Sequence, residues 1–157
     1  MVAQLVKLLS ELLDGPASDA SWVLNPGDAG LLASLDRLSA AQASATPPSE
    51  AASIAAHVDH LRYGFELTNR WSRGEQSFAD ADYSASWQRT SVTESEWAAR
   101  RQSLRDQAYA WREAMQKVQS TDERDVTGVA ASVVHLAYHI GAIRQIDRSI
   151  RGPAATD

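Results

Sequence analysis

The sequence predicts an all-α fold, a four-helix bundle with one long crossover loop. Apolar residues recur at intervals of three and four along most of the 157-residue chain, which is the period of a helix that buries one face. No stretch of useful length alternates apolar and polar residues as a half-buried strand does. The length suits one domain with a sizeable core. We therefore expect a single helical-bundle domain over residues 1–150 and a disordered tail over residues 151–157.

The N-terminal part of the bundle is predicted to contain two stretches of helix. Leucines and valines at helical spacing fill residues 2–13, and Gly15-Pro16 ends the pattern. The segment that follows is rich in Gly, Pro, Ser and Asp, which is typical of a loop, and we expect residues 22–24 to pack on the core. A second helical stretch is expected over residues 28–44, because Pro47 and Pro48 stop it.

The next main helix is predicted over residues 50–71. Ser49 is a good N-cap, and Glu50 would lie in the first turn, where the helix dipole favours an acid. This helix carries His57 and His60, which are three residues apart and so lie close to each other around its axis.

A long irregular segment follows over residues 72–92. It contains Gly74, several Ser and Asp residues and the aromatic Phe78, Tyr83 and Trp87. A connection of this length is often functional, for instance as a lid over a site. It is also a standard crossover in helical bundles, with aromatic side chains that fill gaps in the core. Both interpretations remain open from the sequence.

The last two main helices have the clearest signals. The sequence Thr93-Glu94-Ser95-Glu96 fits a capping box and predicts a helix over residues 94–119. A polar turn leads into the final helix, predicted over residues 126–150. On that helix His135 and His139 are four residues apart, so both imidazoles can point at one position.

Composition excludes several classes of protein. The chain has no cysteine, so any metal must be held by nitrogen and oxygen ligands. The net charge of -5 without a basic stripe argues against binding to nucleic acid. No uninterrupted run reaches the roughly 18 apolar residues that a membrane span needs. The N-terminal residues lack a basic leader, so we expect a cytoplasmic protein without membrane association.

The four histidines of the chain fall in only two segments, His57/His60 and His135/His139. Helical bundles build metal sites from side chains on facing helices, so these segments can supply at least three nitrogen ligands to one ion. Three protein ligands with open positions are typical of a catalytic site, whereas structural zinc sites have four. The competing interpretation is that the histidines only pack in the bundle.

Two segments carry a resemblance to a known family. Residues 53–61, Ser-Ile-Ala-Ala-His-Val-Asp-His-Leu, and residues 135–141, His-Leu-Ala-Tyr-His-Ile-Gly, resemble the signature helices of the DinB-like (YfiT-like) superfamily of metal-dependent enzymes. The resemblance implies a four-helix bundle with a divalent metal held by His60, His135 and His139. It leaves His57 as a reserve ligand or a neighbour of the ligands. Many members have Arg-Gly-Gln after the last His, whereas this chain has Ile140-Gly141-Ala142.

The resemblance also implies what such a site does. Family members include transferases that join a low-molecular-weight thiol to an electrophile, and hydrolases. We expect a thiol-dependent transferase, with a metal-dependent hydrolase or a non-catalytic metal-binding and dimerisation module as alternatives. Zinc, nickel and iron all suit imidazole ligands, so the metal is left open. The expected partners are a small-molecule substrate, a thiol and a second copy of the chain in a homodimer.

No catalytic residue can be assigned from the sequence. A hydrolase needs a general base near the metal, but Glu66 and Asp59 lie well away from His60 around the helix. Asp80 or Asp82 would have to fold over from the long segment. The lack of an evident base favours the transferase.

The expected substrate pocket lies beside His60. Tyr63, three residues further along the helix, is better aimed than the acids and is expected to contact a bound ligand. Gly64, one turn beyond His60, leaves space on the same face. Trp87 of the long segment completes the predicted pocket.

Overall fold

The chain is all-helical in a computed structural model that describes residues 1–17, 21–46, 52–118 and 122–154. Within those ranges there is no strand, which confirms the predicted all-α class. The α-helices are α1 Val2–Asp14, α2 Gly30–Asp36, α3 Ala40–Ser44, α4 Ile54–Ser72, α5 Ser84–Gln88, α6 Glu94–Lys117 and α7 Glu123–Ile146, and a 3₁₀ turn Arg148–Ile150 follows α7.

The stretch predicted as one helix over residues 28–44 is two short helices, α2 and α3. The break has a local cause. The Ser39 side chain accepts the backbone N–H of Gln42, and the Gln42 side chain accepts the backbone N–H of Ser39. This reciprocal cap starts a new helix at Ala40.

The loop after α1 is held largely through its backbone. The buried Glu11 carboxylate accepts the backbone N–H groups of Trp22, Val23 and Leu24 at 3.0, 2.7 and 2.7 Å. Leu24 is buried as expected, but Trp22 is 78% exposed and Val23 is 49% exposed. The expectation that all three pack on the core is therefore wrong for Trp22 and Val23.

The long helices begin at residues whose side chains cap them. Thr93 and Glu96 form the predicted capping box of α6. In α4 the cap is Ser53, whose hydroxyl accepts the N–H of Ala56. The predicted cap at Ser49 lies outside the described residues. Residue 119, the predicted end of the helix over residues 94–119, also lies outside them.

The final helix is shifted from its predicted bounds of 126–150. It begins at Glu123, where the Asp122 side chain accepts the N–H of Arg124, and it ends at Ile146. Of the predicted disordered tail, residues 155–157 lie outside the described part of the chain. Arg151 donates to the side chain of Gln145, and the Pro153 carbonyl accepts from Asn25 at 2.7 Å.

The core joins the long helices and sets the positions of the histidines. Helix α4 packs along α6 and against α7, and α1 packs against α2, α6 and α7. Trp97 and Trp111 of α6 are fully buried. Their indole N–H groups donate to the Leu38 carbonyl at 2.8 Å and to the Ser132 hydroxyl at 2.9 Å. The two indoles therefore link α6 to the connection between α2 and α3 and to α7, while α4 packs directly against α7.

Helix α7 is also apolar enough to cross a membrane, judged by length and composition alone. Its mean hydropathy reaches 1.5 over 18 residues, of which 33% are buried. The helix contains no long uninterrupted apolar run, because Ser132, His135 and His139 lie among its apolar residues. Core helices pass the same test, so the absence of membrane association stays a prediction.

Candidate metal centre

Two long helices bring all four histidines of the chain to one place. His57 and His60 lie on α4, and His135 and His139 lie on α7. His57, His60 and His139 are buried, and His135 is partly exposed. Since the two helices pack together over this region, pairs that are 75 and 82 residues apart in the chain come within hydrogen-bonding distance.

Three of the imidazoles converge through the same ring nitrogen. The Nε2 atom of His135 lies 3.0 Å from Nε2 of His60 and 2.9 Å from Nε2 of His139. One nitrogen from each of the three residues lies within 4.8 Å of the other two. His60, His135 and His139 are therefore close enough to hold one metal ion.

Hydrogen bonding alone does not satisfy this arrangement. A ring nitrogen carries either one N–H or one lone pair, so the Nε2 atom of His135 can make one good hydrogen bond but faces two nitrogens. A divalent ion accepts all three lone pairs at once. Zinc–nitrogen bonds of about 2.0 to 2.1 Å in tetrahedral geometry separate two ligand nitrogens by about 3.3 Å. The separations from His135 are within a few tenths of an ångström of that value.

His57 lies beside this triad and not within it. Its Nδ1 atom is 2.8 Å from the Nδ1 atom of His139, on the side of the ring opposite the shared position. Ligand histidines in metal sites are commonly held by such a hydrogen bond at the second ring nitrogen. The Nδ1 atom of His60, in contrast, is buried without a partner among the described residues. The geometry makes His57 a neighbour of the triad.

The surroundings keep the imidazoles in the neutral form that metal binding requires. Burial lowers the pKa of His57 and of His135. Burial, followed by the charges of His135 and His57, lowers the pKa of His60 to about 4, although Asp59 acts in the opposite direction. Burial and the three neighbouring histidines lower the pKa of His139 to about 3.

The acids near the site are engaged elsewhere. Asp59 is buried and forms ion pairs with Arg62 at 3.0 Å and with Arg89 at 3.6 Å. Glu66 pairs with Arg62 at 2.7 Å. Both carboxylates of α4 that were judged to lie away from His60 are thus paired with arginine.

The acids of the long segment have positions of their own. Asp80 is exposed. Asp82 accepts from the backbone and hydroxyl of Ser84, which lowers the pKa of its carboxyl. The Tyr63 hydroxyl accepts the backbone N–H of Asp82 at 3.2 Å. Tyr63 therefore anchors the segment.

Aromatic side chains of the long segment cover one side of the histidines. Trp87 of α5 stacks on His60, with 4.5 Å between ring centroids, and meets His57 edge-on at 5.3 Å. Tyr83 lies 5.3 Å from the ring of His60. The segment thus combines the two interpretations drawn from the sequence, because its aromatics fill space in the bundle and cover the candidate site.

A cavity of about 450 Å³ opens beside the triad. Its lining includes two of the three convergent histidines and side chains from α4, α7 and the long segment. The residues are His60, Leu61, Gly64, Phe65, Thr68, Phe78, Tyr83, Gly128, Ala131, Ser132 and His135. Of the residues predicted from the sequence to form a pocket, Gly64 lines this cavity. Tyr63 and Trp87 are adjacent to it but outside its lining.

Sequence reasoning missed the wall of the cavity on α7. Gly128, Ala131 and Ser132 lie seven, four and three residues before His135, so they share its face of the helix. Small residues at those spacings were a usable signal for open space next to a ligand.

A larger cavity of about 780 Å³ lies away from the histidines, around Trp71 and Gln107, and its lining contains no histidine.

Comparison of the chain with protein-family models, with curated proteins and with solved structures gave no match.

Proposed function

We propose that this chain is a four-helix bundle of the DinB-like (YfiT-like) type and that it acts as a divalent-metal-dependent, thiol-dependent transferase. His60, His135 and His139 would hold the ion. The observation that carries the proposal is the convergence of their three Nε2 atoms, with His135 3.0 and 2.9 Å from the other two. A bound zinc, nickel or iron ion would lower the pKa of a thiol or a water in an open position.

The choice of transfer over hydrolysis rests on the missing base. Attack by water is helped by a general base within hydrogen-bonding reach. Among the described residues no carboxylate lines the cavity beside the triad, and Asp59 and Glu66 are paired with arginine. A thiol that has already lost its proton to solvent needs no such base. Its sulfur forms a bond to the electrophilic carbon while the leaving group departs with the bonding electron pair.

Other residues of the chain have supporting roles in this proposal. His57 would hold the ring of His139 through their Nδ1 atoms, 2.8 Å apart. Trp87, stacked on His60, would exclude water from that side of the ligands. The cavity that reaches His60 and His135 would receive the electrophile.

The test is product formation by the metal-loaded protein from a low-molecular-weight thiol and a nitro-activated aryl chloride. We expect thioether formation that requires thiol, metal and intact His139. An aryl ester offered without thiol measures hydrolysis in the same preparation. Faster ester hydrolysis than thioether formation would favour the hydrolase. The absence of both reactions would contradict an enzymatic function.

A second candidate function is a metal-bearing module that forms a homodimer. It is favoured by the exposure of two large apolar side chains on α7, Val134 at 68% and Tyr138 at 71%. They are four residues apart and share one face of the helix. A second copy of the chain is the proposed occupant of this face. Sedimentation of the parent beside a Val134→Glu variant tests it, because a dimer through α7 would dissociate in the variant and an unchanged mass would contradict it.

A further inference from the structure

The walls of the cavity beside the triad are almost free of charge. Apart from His60 and His135, the lining residues are apolar, small or hydroxyl-bearing. No lysine, arginine or acid belongs to the lining in the part of the chain that the structure describes. Transfer of an unpaired charge into such a space is costly. Apart from an ion held at His60 and His135, a charged substrate would therefore find no partner on these walls.

The hydroxyl groups of Thr68 and Ser132 already make hydrogen bonds within the protein, so each has little hydrogen-bonding capacity left for a ligand. Thr68 donates to the Phe65 carbonyl at 2.9 Å. Ser132 donates to the Val129 carbonyl at 2.7 Å and accepts from the indole of Trp111. Both hydroxyls thus serve the helices that carry them.

The size and shape of the cavity suit an organic ligand. Its volume of about 450 Å³ lies in the range of small-molecule sites. Aromatic faces come from Phe65 and Phe78, and Gly64 leaves room between the helices, whereas Gly128 lies against the ring of Trp71. A side chain at Gly64 would meet the His135 ring at 3.7 Å, so the open space lies directly against a convergent histidine.

We infer that this cavity binds the electrophilic substrate through an uncharged, apolar and preferably aromatic portion, which places the reacting carbon next to His60 and His135. That this ligand is a substrate rests on the proposed function, whereas its chemical class rests on the cavity alone. The thiol would reach the reacting carbon from outside the apolar walls. The class of substrate is therefore a neutral aryl or alkyl electrophile, not a sugar, a phosphate ester or an amino acid.

A pair of fluorescent probes with one ring system tests this class. N-phenyl-1-naphthylamine is uncharged, and 8-anilinonaphthalene-1-sulfonate adds a sulfonate. We expect the metal-free parent to bind the uncharged probe with a blue-shifted emission and at least about tenfold more tightly than the anionic probe. Equal affinity, or tighter binding of the anionic probe, would overturn the inference.

Matched variants locate the binding. Ala131→Phe fills the cavity from α7 and should weaken the uncharged probe about tenfold or more, whereas Ala98→Phe on the exposed face of α6 should leave it unchanged. Phe78→Ala removes an exposed part of the wall and should weaken the probe without affecting folding. If Ala131→Phe and Phe78→Ala both bind like the parent, the probe lies elsewhere and the inference is wrong.

The His139→Ala variant separates this inference from the proposed function. His139 belongs to the triad but not to the lining of the cavity. We expect the variant to lose metal and to keep the uncharged probe. Full metal binding by the variant would contradict the proposed function and leave the cavity inference standing. A parent that binds metal but not the probe would contradict the cavity inference alone.

Discussion

The Nδ1 atoms of His57 and His139 lie 2.8 Å apart, so one of them carries a proton that the other accepts. The Nε2 atom of His139 faces His135 at 2.9 Å as part of the triad. An imidazole that offers a lone pair at Nε2 to a metal has its proton at Nδ1. His139 therefore donates and His57 accepts whenever the triad holds an ion, and this bond fixes both the tautomer and the ring orientation of His139.

Removal of this bond should weaken metal binding without removing a ligand. We expect His57→Leu to lower zinc affinity by about 10- to 100-fold, the usual effect of losing such a partner. The measurement is competition with a chromophoric chelator. Thr127→Ala, at an exposed position of α7 away from the four histidines, is the control and should bind like the parent. Parent-like affinity in His57→Leu would show that His139 is oriented by packing alone.

The metal-free protein should lose stability as pH falls below 6.5. In the unfolded chain a histidine titrates near pH 6.5, whereas the folded-state pKa is about 4 for His60 and about 3 for His139. Between these values the unfolded state binds more protons, so protonation favours unfolding. The urea midpoint should therefore fall between pH 6.5 and 5 in the presence of a chelator.

The matched variant for this pH dependence is His139→Asn. It lacks one of the protons that the unfolded chain takes up. Its stability should decline less steeply, by up to about 1.4 kcal/mol per pH unit. Identical slopes for parent and variant would show that His139 titrates in the folded protein as it does in the unfolded chain.

The Glu11 carboxylate should contribute measurably to folding. It accepts three backbone N–H groups, those of Trp22, Val23 and Leu24. Hydrogen bonds to a charged group contribute more than neutral ones, so we expect Glu11→Gln to lower the free energy of unfolding by about 1.5 to 3 kcal/mol. Urea denaturation measures this change. Glu113→Gln, an exposed change on α6, should stay within about 0.5 kcal/mol of the parent, and an equal loss in both would refute the role of Glu11.

The features that could be predicted from the sequence are those that local geometry fixes. The capping box of Thr93 and Glu96 defines its own helix start. The spacing of His135 and His139 places both rings on one face, and the clustering of histidines in two segments indicated that these segments meet. These signals lie in short stretches of sequence and do not depend on how the helices pack.

The features that escaped prediction depend on contacts between distant parts of the chain. The Glu11 carboxylate accepts backbone N–H groups of residues 22–24, and no pattern in either segment predicts these hydrogen bonds. The long segment folds onto α4 so that Phe78 and Tyr83 line the cavity, and the Tyr63 hydroxyl accepts a backbone N–H of that segment. The path of such a segment is set by the surfaces that it meets, and its own sequence does not specify it.

Metal content decides whether the triad is a metal site, and it should be measured in the parent, in His135→Ala and in Thr127→Ala after loading with zinc or nickel and exhaustive dialysis. His135 is the residue whose Nε2 atom faces both other members of the triad, and Thr127 is an exposed residue of the same helix. We expect about one ion per chain in the parent and in Thr127→Ala, and none in His135→Ala. No ion in the parent, or an undiminished content in His135→Ala, would contradict a metal site at the triad.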